Sequence, residues 1–170
     1  GHALVACLTD GALPVHKATI VPRGQALGMV MQLPDEDMTS WSQRQMLAEM
    51  DVCMGGRAAE ELIFGEQNIT SGASSDLERA TSIATSMVEK FGMSRSVGLV
   101  SHGKGGKRGS RGGSSGSGMS DSTKAKIDEE VRRLTDESYK RALNLLRKHE
   151  HTLYVLADTL VEDETLTGQQ

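Results

Sequence analysis

Apolar residues recur along this chain mostly with a helical period, and the clearest run is "SSDLERATSIATSMVEKFG". Leu77, Ala80, Ala84, Met87, Val88 and Phe91 fall on one face at spacings of three and four, which predicts an amphipathic helix. Ser75 and Glu78 read as a capping box at its start, and Gly92 reads as its stop. The same period marks residues 1–9, with Leu4, Val5 and Leu8 on one side. Ser40 and Gln43 read as a second capping box, opening a helix that carries Leu47, Met50 and Met54 up to the Gly55-Gly56 pair. A separate helical piece with Ala58, Leu62 and Ile63 is expected to end near Gly65. Beyond residue 120 a long helix is predicted through Ile127, Val131, Leu134, Ala142 and Leu145, then a shorter one over about 152–161.

Two stretches leave the helical period. "GALPVHKATIVPRG" reads as a turn and a β-branched strand from Val15 to Val21, closed by Pro22 and Gly24. "ALGMVMQLP" follows as a second short strand, so a small sheet or hairpin is expected. That second strand is open to two readings, an ordinary buried strand or a sheet edge that takes up an extended peptide. Residues 101–120 are rich in Gly and Ser and predict a flexible loop inside a single domain spanning residues 1–170. The expected fold class is mainly α with a small β-sheet (α+β).

Composition narrows the class. Aromatic residues are only 3%, so aliphatic side chains and nine methionines must fill the interior or form a pliable contact surface. A net charge of −4 makes the domain no general attractor of nucleic acid or anionic lipid. Cys7 and Cys53 sit in apolar helical surroundings with no CxxC pair, which predicts buried, reduced thiols and a reducing setting. No apolar run approaches the ~18 residues of a membrane span. The chain begins inside a helical pattern without a signal peptide, which reads as the start of a cut fragment.

Candidate chemistry is sparse. Zinc hydrolases of the HExxH type need two histidines one helical turn apart, with the intervening Glu as general base. In "GHALVA" only the last histidine of such a motif, His2, is present, and an exposed terminal histidine is the alternative. Asp76 lies where a carboxylate complements a helix dipole in any case. Glu60 and Glu61 are consistent with a solvated helix face paired with Arg57, and His16 with an exposed or structural strand residue. "GLVSHGKG" (Gly98 to Gly105) misses the P-loop because Gly105 stands where the Mg²⁺-binding hydroxyl belongs. Lys104, Lys107, Arg108 and Arg111 lie in a Gly-rich loop without stacking aromatics, so a solvated loop is expected and no nucleic-acid partner.

"GHALVA", "PVHKATIVPRG", "ALGMVMQLP", "MGGRAAEELIFG", "TSGASSDLERAT" and "KFGMS" stand in an order that resembles the peptidase domain of the FtsH family, membrane-anchored AAA zinc proteases driven by ATP. The resemblance runs from Gly1 to about Gly168, except in the Gly/Ser-rich loop, and is nearest the i-AAA type of mitochondria or plastids. It implies that His2 is the second zinc-binding histidine of a His-Glu-x-Gly-His motif. The first histidine and the catalytic Glu would precede Gly1, so no catalytic residue is expected within the chain itself.

The resemblance further implies Asp76 as third zinc ligand and Glu60 as an acid standing behind the ligands, while Glu61 keeps the solvated reading. His102, His149 and His151 fall outside the matching blocks and receive no metal role. Implied cofactors are Zn²⁺ and, through an ATPase module outside these residues, ATP and Mg²⁺. Implied partners are unfolded or membrane-extracted protein substrates and the other subunits of a homo- or hetero-hexamer, with membrane contact only through a more N-terminal region. The implied location is the mitochondrial inner membrane, or alternatively a plastid membrane. The rival reading is a non-catalytic, peptidase-like module for hexamer assembly or binding.

Overall fold

The computed structural model describes residues 1–22, 28–33, 40–102 and 120–169. Helix α1 (His2–Leu8) leads into strand β1 (Val15–Thr19) and strand β2 (Met29–Gln32). Helix α2 (Gln43–Phe64) is followed by 3₁₀ turns at Glu66–Asn68 and Ser71–Ala73, then by α3 (Ser74–Glu89). Helices α4 (Asp121–Lys148) and α5 (Glu150–Asp163) and strand β3 (Thr165–Thr167) complete the chain. The α+β expectation holds, with the small sheet antiparallel in the order β2-β1-β3. The expected loop over 101–120 and its basic residues lie almost wholly outside the described residues. Among the described residues no helix is long and apolar enough to cross a membrane.

Helix α2 is the central element and packs against α1, α3 and α4. Its core side chains are Met50, Val52, Cys53, Met54 and Ala58, met by Leu4 and Val5 of α1, Ala80, Ala84, Met87 and Val88 of α3, and Leu134, Ala142 and Leu146 of α4. Ala80 and Ala84 are fully buried, so α3 comes close to its neighbours with little side chain between. Met50 and Met87 are also fully buried, where the unbranched thioether fills irregular space. Methionine is exposed on β2, at Met29 and Met31.

Several local expectations are corrected. The start of α2 is Ser42 with Gln45, whose reciprocal capping box is complete, and Ser40 lies outside it. Both serines have a glutamine three residues on, so the pattern alone could not choose. Helix α3 begins at Ser74 out of a 3₁₀ turn, and no side chain caps it, so the Ser75–Glu78 box does not form. Leu77 and Phe91 are exposed, Phe91 lying past the helix end, and Leu8 is exposed on α1. Cys7 is exposed as well, and only Cys53 is buried, its thiol pushed up to about 12 by burial and then by the charge of Glu49.

The loop after α3 is tied to α4 through Glu130, a buried carboxylate. Arg133 donates to it from Nε (2.9 Å) and Nη2 (2.8 Å), and Ser94 Oγ donates at 3.0 Å. The Arg133 bonds first, and the serine with them, hold this carboxyl at about 2 despite its burial. A depressed folded-state value adds stability above the unfolded pKa, near 4.3, and loses it as pH falls through the folded one. Urea unfolding between pH 5 and 2 is therefore expected to lose roughly 1–2 kcal/mol through this group, after discounting the half-exposed Arg133. Glu130→Gln should flatten that acid limb. An unchanged slope would show that Glu130 does not supply it.

Candidate metal centre

Helix α1 crosses α2 where both are bare of side-chain bulk. A Cβ on Gly1 would overlap the Gly55 carbonyl, and one on Gly55 would lie 3.2 Å from the Cα of His2. A Cβ on Gly56 would overlap the His2 ring itself. The Gly55-Gly56 pair, expected to interrupt the helix, instead lies within continuous α2. Each glycine costs a helix about 1 kcal/mol relative to alanine, and the return is a backbone seat for an imidazole.

Asp76 reaches the same place from the other side. The Thr70 hydroxyl accepts from the Gly72 N–H at 3.2 Å, shaping the 3₁₀ turn that runs directly into α3. Asp76 follows in the first turn of α3. His2 Nε2 and Asp76 Oδ2, 74 residues apart in sequence, lie 3.0 Å from each other. Their side chains are 33% and 31% exposed, open enough for a ligand and held enough to be aimed.

Glu60 lies one turn beyond Gly56 on α2. Its Oε2 accepts from the Thr70 N–H and its Oε1 from the Thr70 hydroxyl, both at 2.9 Å. These bonds, the backbone one foremost, hold its carboxyl below the usual range. Glu60 makes no hydrogen bond to His2 or Asp76; it grips the turn that delivers Asp76. Glu61, expected to be solvated, is half-buried and accepts the Tyr139 hydroxyl from α4. Burial and that bond push the Tyr139 phenol up to about 12.

An imidazole nitrogen and a carboxylate oxygen are donors that zinc accepts, with bonds near 2.0–2.2 Å. Tetrahedral geometry with such bonds separates two donors by about 3.3 Å, a few tenths more than the spacing here. The pair therefore fits two corners of one site. Among the described residues no group of three His, Cys, Asp or Glu is placed to hold an ion. His16 and His151 are exposed and stand apart from this pair.

Sequence reasoning missed two buried acids on α2. Asp51 accepts from Ser138 and bidentately from Arg141, both on α4. Glu49 pairs with Arg79 of α3 at 2.6 Å. The signal was present in "MLAEMDVCM", where two acids interrupt an otherwise apolar helix face.

A helical α+β domain that presents a histidine and an aspartate together defines a class, domains able to contribute to a transition-metal site. The comparisons make the class specific. Residues 1–170 match the profile of Peptidase family M41, and the chain belongs to that family. It is 53% identical over 169 residues to the "ATP-dependent zinc metalloprotease FTSH 11, chloroplastic/mitochondrial" of Arabidopsis thaliana, covering 99% of this chain and 19% of that protein. It is 48% identical over 170 residues to the "ATP-dependent zinc metalloprotease FtsH" of Rickettsia bellii, covering 100% of this chain and 27% of that protein. A YME1 homolog of Schizosaccharomyces pombe, also an ATP-dependent zinc metalloprotease, is 45% identical over 170 residues, with 100% of this chain and 23% of that protein covered. The chain thus spans about a fifth to a quarter of the length of these relatives.

Proposed function

We propose that this chain is the proteolytic part of an ATP-dependent zinc metalloendopeptidase, with His2 and Asp76 as two of its three protein zinc ligands. The observation that carries this reading is the 3.0 Å approach of His2 Nε2 to Asp76 Oδ2 over the bare backbone of Gly56. The remaining ligand and the general base are the histidine and glutamate of a His-Glu-x-Gly-His motif whose last two residues are Gly1 and His2. Zinc held there supplies Lewis acidity toward a peptide carbonyl and makes water acidic enough to be activated near neutral pH.

The chain's own residues aim and support. Gly55 and Gly56 set the height of the imidazole, and Glu60 fixes the turn through which Asp76 arrives. Strand β2 pairs only with β1 among the described residues. Its other edge is suited to take up an extended polypeptide by backbone hydrogen bonds, which reads shape rather than sequence and suits unfolded substrates. An ATPase module with ATP and Mg²⁺, a hexameric ring and a membrane anchor complete the proposed parent. The proposed location is the mitochondrial inner membrane or alternatively a plastid membrane; the relative named "chloroplastic/mitochondrial" supports an organelle without choosing between the two.

The test uses the intact, ATPase-bearing protein. His2→Ala is expected to abolish both bound zinc and ATP-dependent casein cleavage, whereas the 170 residues alone should hold little zinc and cleave nothing. A general base typically contributes 10²–10⁴-fold, so cleavage that depends on the proposed glutamate should fall by at least that factor without it. Full activity in His2→Ala would make His2 an ordinary histidine and sink the ligand assignment.

A further inference from the structure

Apolar packing does not fix the part of α3 that carries Asp76. None of residues 74–79 is buried, and the first buried residue of the helix, Ala80, is small. No side chain caps the helix start. The large buried side chains, Met87 and Val88, lie about three turns beyond Asp76. A stretch with so few buried contacts shifts or opens locally with ease, whereas a metal ligand must be held within about 0.5 Å.

Polar grips from α2 hold this stretch instead. Glu60 holds Thr70, ahead of Asp76. One turn past Asp76, Arg79 Nη2 donates to Glu49 Oε1 at 2.6 Å. Glu49 stands seven residues before Gly56 and Glu60 four after it, spacings that return to one face of a helix. That face of α2 therefore carries the seat of His2 with an acid on either side. Cys53 shares the face. Burial first, and then the charges of Glu49, Arg79 and Asp76, act on its thiol, so these three groups gather about one point. The pair is weakly placed to stabilise the fold. Glu49 is buried, its Oε2 accepts no hydrogen bond from the described residues, and Arg79 is largely exposed. Desolvating a carboxylate is seldom offset by such a partner, and a defined geometry is what a buried pair can supply in its place.

We propose that the Glu49–Arg79 ion pair is a positioning device for the metal centre, holding the first turns of α3 against α2 so that Asp76 meets His2. This rests on the reading of His2 and Asp76 as zinc ligands. Glu49 and Arg79 act through the placement of Asp76, not by contact with the metal.

The test is the zinc affinity of the intact protein, by competition with a metal buffer well below melting, together with the melting temperature of the metal-free form. Glu49→Met combined with Arg79→Met replaces the pair with apolar side chains. Such a replacement is often neutral or stabilising, so the melting temperature should hold or rise. Zinc affinity should nevertheless fall about tenfold or more, as when groups that orient metal ligands are removed. Stability and metal binding then move apart, which a merely structural pair would not cause. Arg79→Met alone should show the same loss. Arg79→Lys should keep affinity within about threefold, since the contact is a single one that an ammonium can make. Arg141→Met, which loosens α4 and not α3, should leave zinc affinity unchanged. If the double variant does not fold, the comparison of Arg79→Met with Arg79→Lys decides. Unchanged affinity in the double variant or in Arg79→Met, an equal loss in Arg79→Lys, or an equal loss in Arg141→Met each overturns the proposal. Where Asp76→Asn has lost its zinc, those outcomes leave the ligand reading standing; zinc retained in Asp76→Asn removes that reading and this proposal with it.

Discussion

Asp76→Asn in the intact protein is expected to strip bound zinc and ATP-dependent proteolysis together while leaving the fold in place. Asp76 stands in the first turn of α3 and is a third exposed, and the cap of that helix is Ala73, without a side-chain bond. The replacement is nearly isosteric and puts at risk only a dipole interaction of about 0.3–1 kcal/mol. The chemistry changes far more, because a neutral amide replaces the carboxylate proposed as an anionic zinc donor opposite His2 Nε2. Outer partners of metal ligands typically cost 10–100-fold in affinity or activity when removed, so loss of a proposed ligand should exceed about 100-fold. Glu78→Gln, an exposed acid in the same helix, makes the same charge change away from His2 and should alter neither readout. Metal analysis and casein cleavage on the two variants decide the matter. Zinc retained in Asp76→Asn removes Asp76 from the ligand set.

How much of this was legible in the sequence differs between elements for physical reasons. Helices α3 and α4 carry apolar residues at spacings of three and four over many turns, so period alone finds them. Strand β1 was legible from its β-branched run between turn residues, although it ends at Thr19, two residues short of the expected Val21. Strand β3 is three residues long and pairs with β1 across the length of the chain, and no local pattern can announce that. The second half of α2 was misread because a glycine pair is a local break signal. What keeps the helix going is tertiary, the packing of Gly1 and His2 onto that bare stretch.

The candidate site shows the same division. The resemblance named His2, Asp76 and Glu60, but residue order alone could not say that the first two meet. Nor could it say that Glu60 serves the turn at Thr70 rather than the pair itself. Cys7 was read as buried because the run around it is apolar, yet α1 is only seven residues long and its buried set is Ala3, Leu4, Val5 and Ala6. A short helix has a narrow buried stripe, and Cys7 lies beyond it.

The largest stability effect is expected at Asp51, a buried acid that the sequence reading passed over. Asp51 is 5% exposed and accepts from Arg141 Nε at 2.8 Å and Nη2 at 2.7 Å, and from Ser138 Oγ at 2.6 Å. Arg141→Met keeps much of the aliphatic stem but leaves a buried carboxylate with only a serine donor. Breaking a buried pair from one side costs about 3–5 kcal/mol. Because the arginine is itself partly exposed, water can reach the gap, and a loss of about 3 kcal/mol is expected. Asp51→Ala removes the charge instead, lets Arg141 turn to solvent and leaves one buried hydroxyl to re-pair, for about 1–3 kcal/mol. Once Asp51 is gone, Arg141 has little left to do, so the double variant should resemble Asp51→Ala alone. Urea denaturation of the domain, with m-values compared, measures all three. If Arg141→Met costs less than Asp51→Ala, the carboxylate is not the strained partner and the cluster is held by packing. If the order is as stated, the ion pair fixes α4 against the helix on which His2 is seated, and zinc content should survive below the lowered melting temperature.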